Sequence, residues 1–390
     1  MGNRVLRPEN CPTRAEIRAI IPEDCRTPDP LRSGAYLAFS TGLLAVVVLI
    51  GLQIPMSWMW LPVWLAYSVV AGTVATGLWV LAHECGHGAF GRSRRVQNAI
   101  GFVLHSSMLV PYFSWQRSHA VHHARTNHLD EGETHVPERA DTEQTQRSVR
   151  LRTRIGPDAF AGLSILSHLL LGWPAYLLAG ATGAPGRGRT NHFWPRGPFE
   201  SDLFPERWHR RVIVSAVGVA AMAAVLVAWA IAAGSVIPVL ALYVGPYLVV
   251  NAWLVTYTWL QHTDVDVPHF DDTEWSWVLG ALQTVDRPYG RVIDTLHHRI
   301  GSTHVAHHLD PTIPHYHAAR VTREVRRALP GWYRHDDTPV SRALWRTARD
   351  CVAVEHGTFG WWPTATAPPP EMPPGESLDP QVKRVSSSAK

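Results

Sequence analysis

Apolar residues in this chain gather in long runs rather than at a helical or strand period. Residues 35–54 and 61–82 form one pair of runs, and 211–234 and 236–260 form another. A helix needs roughly 20 apolar residues to cross a bilayer, so all four runs qualify. The first pair is joined by an uncharged turn, Pro55 to Trp60, that carries Trp58 and Trp60. The second is joined at Gly234 and Ser235, again without charge. Arg4, Arg7, Arg14, Arg18, Arg26 and Arg32 precede the first pair, and Arg207, Arg210 and Arg211 precede the second. Trp-rich, uncharged tips suit the outer interface, and Arg at the open ends suits the cytoplasm. The pattern predicts two helical hairpins with both open ends and both termini on the cytoplasmic side.

Two further apolar stretches do not fit that count. Residues 99–114 are short for a crossing and contain His105, whereas 160–180 are long enough. If 160–180 crossed alone, the last histidine cluster would lie opposite the first. Both stretches are therefore expected to be re-entrant or interfacial helices. Residues 138–158 are polar and Arg-rich and read as a cytoplasmic connection, 181–209 as an irregular Gly/Pro/Arg loop, and 318–329 as a surface helix. From 357 onward, Pro, Ser and Ala predict a disordered tail. The expected organisation is a cytosolic segment over 1–34, a membrane domain with a metal-binding cap over 35–356, and the tail over 357–390. The fold class is all-α and integral to the membrane. It has four transmembrane helices in two hairpins, re-entrant or interfacial helices, and a cytosolic histidine-rich cap.

Composition adds mainly exclusions. The chain has 36 basic and 32 acidic side chains, a net charge of +4, with no basic stripe or nucleic-acid motif. Nucleic acid is not an expected partner. Cys11, Cys25, Cys85 and Cys351 are far apart and form no CxxC, which argues against a disulfide scaffold or a cysteine-ligated cluster. The start lacks the pattern of a secretory signal, so insertion is expected to rest on the first span.

The candidate chemistry lies in three histidine clusters at the ends of apolar stretches. They are His83 with His87, then His119, His122 and His123, then His304, His307 and His308. At helical spacing the members of each cluster share a face. Neutral imidazole suits iron or zinc. Eight imidazoles are too many for one ion and suit two adjacent ones. By itself His83-Glu84-Cys85-Gly86-His87 also matches the HExxH pattern of zinc hydrolases, with Glu84 as the base. Iron with open positions activates dioxygen, and a membrane site admits an acyl chain laterally. A transporter is the non-enzymatic alternative, and it leaves the repeated clusters unexplained.

These segments resemble the membrane fatty acyl desaturases, most closely the delta-12 (omega-6) and omega-3 acyl-lipid branch. The resemblance runs from about Ala82 to Glu355. It rests on AHECGHGAF at 82–90, LVPYFSWQRSHAVHH at 109–123, LQHTDVDVPHF at 260–270, GALQTVDRPYG at 280–290 and THVAHHLDPTIPHYHA at 303–318. It implies two iron ions, dioxygen as co-substrate, and insertion of a double bond into a lipid-linked acyl chain, delta-12 on C18 first. An omega-3 desaturase and the hydroxylases, acetylenases and conjugases of the same scaffold stay open. It also implies the eight histidines as ligands and His262 as a ninth. Related acyl-CoA enzymes have Asn four residues before that histidine; here Thr258 stands there, so the tenth position is open. Glu84, Asp130 and Glu131 are candidates to support ligand imidazoles. His315 and His317 are candidates for an additional or supporting role, and His105, Tyr112 and Trp115 are expected to be structural. Asp310 replaces an apolar residue usual in the family. Neither a fused cytochrome b5 signature nor a ferredoxin cysteine pattern is present. A separate cytochrome b5-like or ferredoxin-like electron donor is therefore expected.

Overall fold

A computed structural model describes residues 10–354 and 361–363. In chain order the helices are α1 (Arg14–Ile20), α2 (Pro30–Gly51), α3 (Leu61–His87), α4 (Arg94–Ser107), α5 (Tyr112–Ala124) and α6 (Glu143–Ile155). Then come α7 (Pro157–Ala179), α8 (Glu206–Ala232) and α9 (Ile237–His262), where α7 and α9 each contain one π-helical turn. The cap adds α10 (Trp277–Leu282), α11 (Arg291–Leu296), α12 (His304–Leu309), α13 (His315–Ala328) and α14 (Val340–Asp350). Two short strands, β1 (Cys351–Val354) and β2 (Trp361–Pro363), pair antiparallel.

The ends of the long helices are written locally. Asp29 accepts from the Leu31 and Arg32 N–H groups and Pro30 opens α2, a pre-organised start. Gly88, at φ 90°, ends α3 in the left-handed conformation and so leaves His87 in its last turn. The most apolar window of α3 is 72% buried, against 11% for α2 and for α8. Thus α3 is the central helix, while α2 and α8 turn Val46, Leu49, Val217 and Ile231 outward. Helix α9 packs closely on α3 at Gly72. A Cβ there would lie 2.5 Å from the Pro246 carbonyl oxygen and from Val249 Cβ. Such close approach through a small residue is the usual way helices associate where burial from water supplies no drive.

Five helices, α2, α3, α7, α8 and α9, are long and apolar enough to cross a membrane, so the chain is a multi-pass membrane protein. That is one more than the four predicted crossings. Helix α7 differs from the others in its surroundings. Its first half packs through Ala161 against Ala348 of α14 and Trp259 of α9. Near its other end the Tyr176 hydroxyl donates to Glu133 at 2.8 Å, and just beyond it the Val136 N–H donates to the Thr182 carbonyl at 3.0 Å.

The stretch 99–114 is two helices rather than one. Pro111 lacks a donor and disfavours a helical Val110, and Leu109 adopts φ 56°, so the chain turns between α4 and α5. The polar connection at 138–158 contains α6, which is capped by Thr142. Of the segment expected to be disordered from 357, Trp361–Pro363 is instead strand β2. Trp361 is buried there and donates its indole N–H to the Val267 carbonyl at 3.2 Å. The rest of that segment lies outside the described residues, as do residues 1–9. On the cap, Ile17 of α1 and Ile21 just beyond it pack with Val305, Leu309, Val321 and Val325, so the N-terminal segment backs α12.

Candidate metal centre

Four elements deliver imidazoles to one place. The last turn of α3 supplies His83 and His87; α5 supplies His119, His122 and His123; α9 ends on His262; and the short α12 supplies His304, His307 and His308. Their nitrogens converge as two groups, each compact enough to hold one ion. One is His83, His87, His119, His123 and His307, and the other is His122, His262 and His308. Within the first, His83 Nε2 lies 2.8 Å from His119 Nε2 and 3.2 Å from His87 Nε2, and His123 Nε2 lies 3.1 Å from His119 Nε2. In the second, His262 Nε2 lies 3.2 Å from His122 Nε2 and 3.0 Å from His304 Nε2, which brings His304 to its edge.

The donor set fits metal ions. The Nε2 atoms of His307 and His308 are buried and have no hydrogen-bond partner, an arrangement that costs free energy unless a cation satisfies them. The outer nitrogens of two imidazoles are held in the matching tautomer. His122 Nδ1–H donates to the Glu133 carbonyl at 2.6 Å. The Thr126 hydroxyl donates its proton to the His122 carbonyl at 2.8 Å, and so accepts from His308 Nδ1–H at 3.0 Å. Both arrangements leave Nε2 as a lone pair facing inward. Burial above all, with repulsion from neighbouring imidazoles, holds His119, His123, His304 and His308 well below the ordinary histidine range. Burial takes His307 down to about 3, and takes His122 down to about 4 despite its bond to the Glu133 carbonyl. The cluster is therefore neutral at physiological pH, the form that binds metal.

Thr126 yields a direct expectation. Thr126→Val removes the acceptor for His308 and should lower turnover about 10–100-fold, the usual cost of losing such support. Thr126→Ser should restore it, and product formation in membranes measures both.

The remaining sequence candidates fall in different places. Glu84 is buried beside the site, but its carboxylate accepts from the His315 backbone N–H at 2.5 Å and from His315 Nδ1–H at 2.7 Å. Both oxygens are thus taken up by His315 rather than by an imidazole of the two groups. Asp130 pairs with Arg139 at 2.6 Å and Glu131 with Arg125 at 2.7 Å. The support expected of those two carboxylates comes instead from the Glu133 carbonyl and the Thr126 hydroxyl. The Thr258 hydroxyl donates to the Leu254 carbonyl at 3.0 Å and accepts from His135 Nε2 at 3.0 Å, so it belongs to neither nitrogen group. His317 packs on Tyr316, and His105 lies fully buried between Trp79 and Trp115. Trp115 stacks on His119 with ring centroids 4.8 Å apart, and Tyr112 is fully buried against it. Asp310 pairs with Arg26 of the N-terminal segment at 3.4 Å and accepts from the Thr312 N–H at 3.1 Å.

A small, partly open cavity adjoins the first group. Its lining joins His83, His87 and His307 to Glu84, Thr303 and His315, with Val80, Ile300 and Ile313 among its apolar residues. Thr126, Glu133 and His298, which also lines this cavity, went unnoticed in the sequence. A threonine hydroxyl or a backbone carbonyl has no signature until the fold brings it to an imidazole.

Comparisons with known proteins agree with this geometry. The profile of the family described as "Fatty acid desaturase" matches residues 58–339. The chain is 39% identical over 350 residues to a delta(12)-acyl-lipid-desaturase of Punica granatum, covering 88% of this chain and 87% of that protein. It is 38% identical over 348 residues to an endoplasmic reticulum omega-6 fatty acid desaturase of Glycine max, covering 88% and 86%. It is also 37% identical over 349 residues to an oleoyl-12-hydroxylase of Ricinus communis, covering 88% and 87%. The converging imidazoles, the long apolar helices and these matches together assign the chain to the fatty acid desaturase family of membrane oxidoreductases.

Proposed function

We propose that the chain is a dioxygen-dependent acyl-lipid desaturase that uses two iron ions to introduce a delta-12 (omega-6) double bond. The observation that carries this reading is the convergence of the two nitrogen groups, the first of them beside a cavity that Val80, Ile300 and Ile313 help to line. The delta-12 position follows from the similarity to delta(12) and omega-6 desaturases. In this reading one iron is held by His83, His87, His119, His123 and His307, and the other by His122, His262, His304 and His308. The pair supplies the oxidising power drawn from dioxygen. In balance, a –CH2–CH2– unit, one O2, two electrons and two protons become –CH=CH– and two waters.

The protein's own part is positioning. An acyl chain offers almost no polar handle, so Val80, Ile300 and Ile313 hold it by shape beside the wall formed by His83, His87 and His307. Glu133 and Thr126 hold His122 and His308 in the binding tautomer. The two electrons come from a separate carrier, cytochrome b5-like or ferredoxin-like.

Four crossings, by α2, α3, α8 and α9, are the topology we favour. Parity supports it: α3 and α9 both end in the shared histidine cluster, so an even number of crossings lies between them. Helices α8 and α9 supply two, and a crossing by α7 would make three. Helix α7 also touches elements of the cap near both of its ends. The Arg-rich open ends of the hairpins support a cytoplasmic cap and termini.

Expression in a host that makes monounsaturated but not polyunsaturated acyl chains tests the activity. Double-bond localisation in the extracted lipids should find a new delta-12 diene, and iron analysis should find two ions per chain. A hydroxylated acyl chain in its place, or zinc without iron, would defeat the assignment.

A further inference from the structure

The segment GALQTVDRPYG stands outside the histidine clusters, yet it contains a fully buried arginine, Arg287. We propose that the dipeptide Asp286–Arg287 is the positioning element of the second subsite, formed by His122, His262, His304 and His308. This rests on the di-iron reading above.

His262 is the last residue of α9 and His304 the first of α12. Both sit where backbone groups lack partners within their own helix. The stretch 285–287 takes up both loose ends. Arg287 Nε–H donates to the Leu260 carbonyl at 2.9 Å, and the Val285 N–H donates to the Gln261 carbonyl at 3.0 Å. On the other side, Asp286 Oδ1 accepts from the Val305 N–H at 2.8 Å. Neighbouring residues thus grip the end of one ligand helix and the start of another. The two imidazoles they govern face each other with Nε2 atoms 3.0 Å apart.

The dipeptide is itself held from several directions. Its Arg287 N–H donates to the Gly301 carbonyl at 2.9 Å, and the Asp286 N–H donates to the Arg334 carbonyl at 3.1 Å. Asp286 Oδ2 accepts from the Tyr333 hydroxyl at 2.9 Å. The terminal guanidinium nitrogens of Arg287 pair with Asp264 and Asp336, which Arg346 also contacts. A helix as short as α12 has little stability of its own, so its place is set by what holds its ends.

The role is more specific than charge balance. A lysine at 287 keeps a cation for Asp264 and Asp336 but cannot also present the fixed Nε–H fork to Leu260. The first subsite takes four of its five imidazoles, His83, His87, His119 and His123, from α3 and α5, which the dipeptide does not bond, and only His307 from α12.

The test uses the full chain in lipid nanodiscs, loaded with ferrous iron, as wild type, R287K, D286A and D286N. Iron per chain, the Mössbauer spectrum and thermal unfolding are measured. Wild type should hold two irons. R287K and D286A should fold, keep one iron population, and bind the other about 10–100-fold more weakly. D286N still offers an oxygen to the Val305 N–H and should keep both. Two irons and an unchanged spectrum in R287K and D286A would overturn the proposal, as would joint loss of both populations from folded protein. If R287K does not fold, the aspartate pair decides: less iron in D286A than in D286N supports the proposal, and equal iron overturns it. A wild type that never holds two irons defeats the di-iron reading itself; variants that match a two-iron wild type defeat only the dipeptide's role.

Discussion

Replacing His307 by alanine should remove essentially all desaturated product. His307 Nε2 is buried, unpartnered and part of the five-imidazole group, and its ring also lines the neighbouring cavity. The substitution takes away one donor and alters the cavity proposed to receive the acyl chain. Losing a ligand should cost more than the roughly 10–100-fold typical of losing a residue that merely supports one. Helix α12 should stay in place, because Val305, Ala306 and Leu309 anchor its other face in the cap core. The loss should therefore appear in folded, membrane-inserted protein. Lipid profiling beside wild type measures it, with His317→Ala as the comparison, since that ring packs on Tyr316 outside the nitrogen groups. Equal unsaturation in His307→Ala and wild type would remove the cluster from the reaction.

A large effect on stability is expected at Gly72. A leucine there must displace the Pro246 carbonyl and Val249, which already lie 2.5 Å from the position of a Cβ. Backbone cannot yield as a flexible side chain can. Overpacking of this kind costs about 1–3 kcal/mol, and more when helices are forced apart. Because α3 ends in His83 and His87 and α9 in His262, separating them also pulls the two nitrogen groups apart. Gly72→Leu should lower the unfolding temperature in nanodiscs and reduce bound iron together. Gly42→Ala, where nothing lies within 4 Å of the added carbon, should leave both unchanged. Retention of both properties in Gly72→Leu would show that this crossing is not tight.

Much of the architecture is written in local pattern. The runs over 35–54, 61–82, 211–234 and 236–260 correspond to α2, α3, α8 and α9, with ends shifted by a few residues and with α3 extended through its own histidines. Apolar length is a property of contiguous residues, so it can be read without the fold. The break at Pro111 had a local signal too, but the apolar stretch around it hid the turn. Helix α7 is the opposite case. Its length and hydropathy match those of a crossing helix, and the proposal that it does not cross rests on its neighbours, Ala348 near one end and Glu133 near the other.

The site divides in the same way. Histidine type and spacing name the candidate donors, because residues three and four apart on a helix share a face whatever surrounds it. Their division into groups of five and three, with His304 at the edge of the second, depends on how α3, α5, α9 and α12 cross. Asp130 and Glu131 carry the right chemistry at a suggestive position, yet they pair with Arg139 and Arg125. Thr126, the Glu133 carbonyl and the Asp286–Arg287 grip act on partners brought to them by folding. What the amino-acid order determined alone was the membrane class, the helix runs and the imidazole inventory, since each follows from neighbours along the chain. The tertiary structure decided which nitrogens lie together and which groups hold them, because hydrogen bonds and side-chain clusters are set by distances between segments remote in sequence.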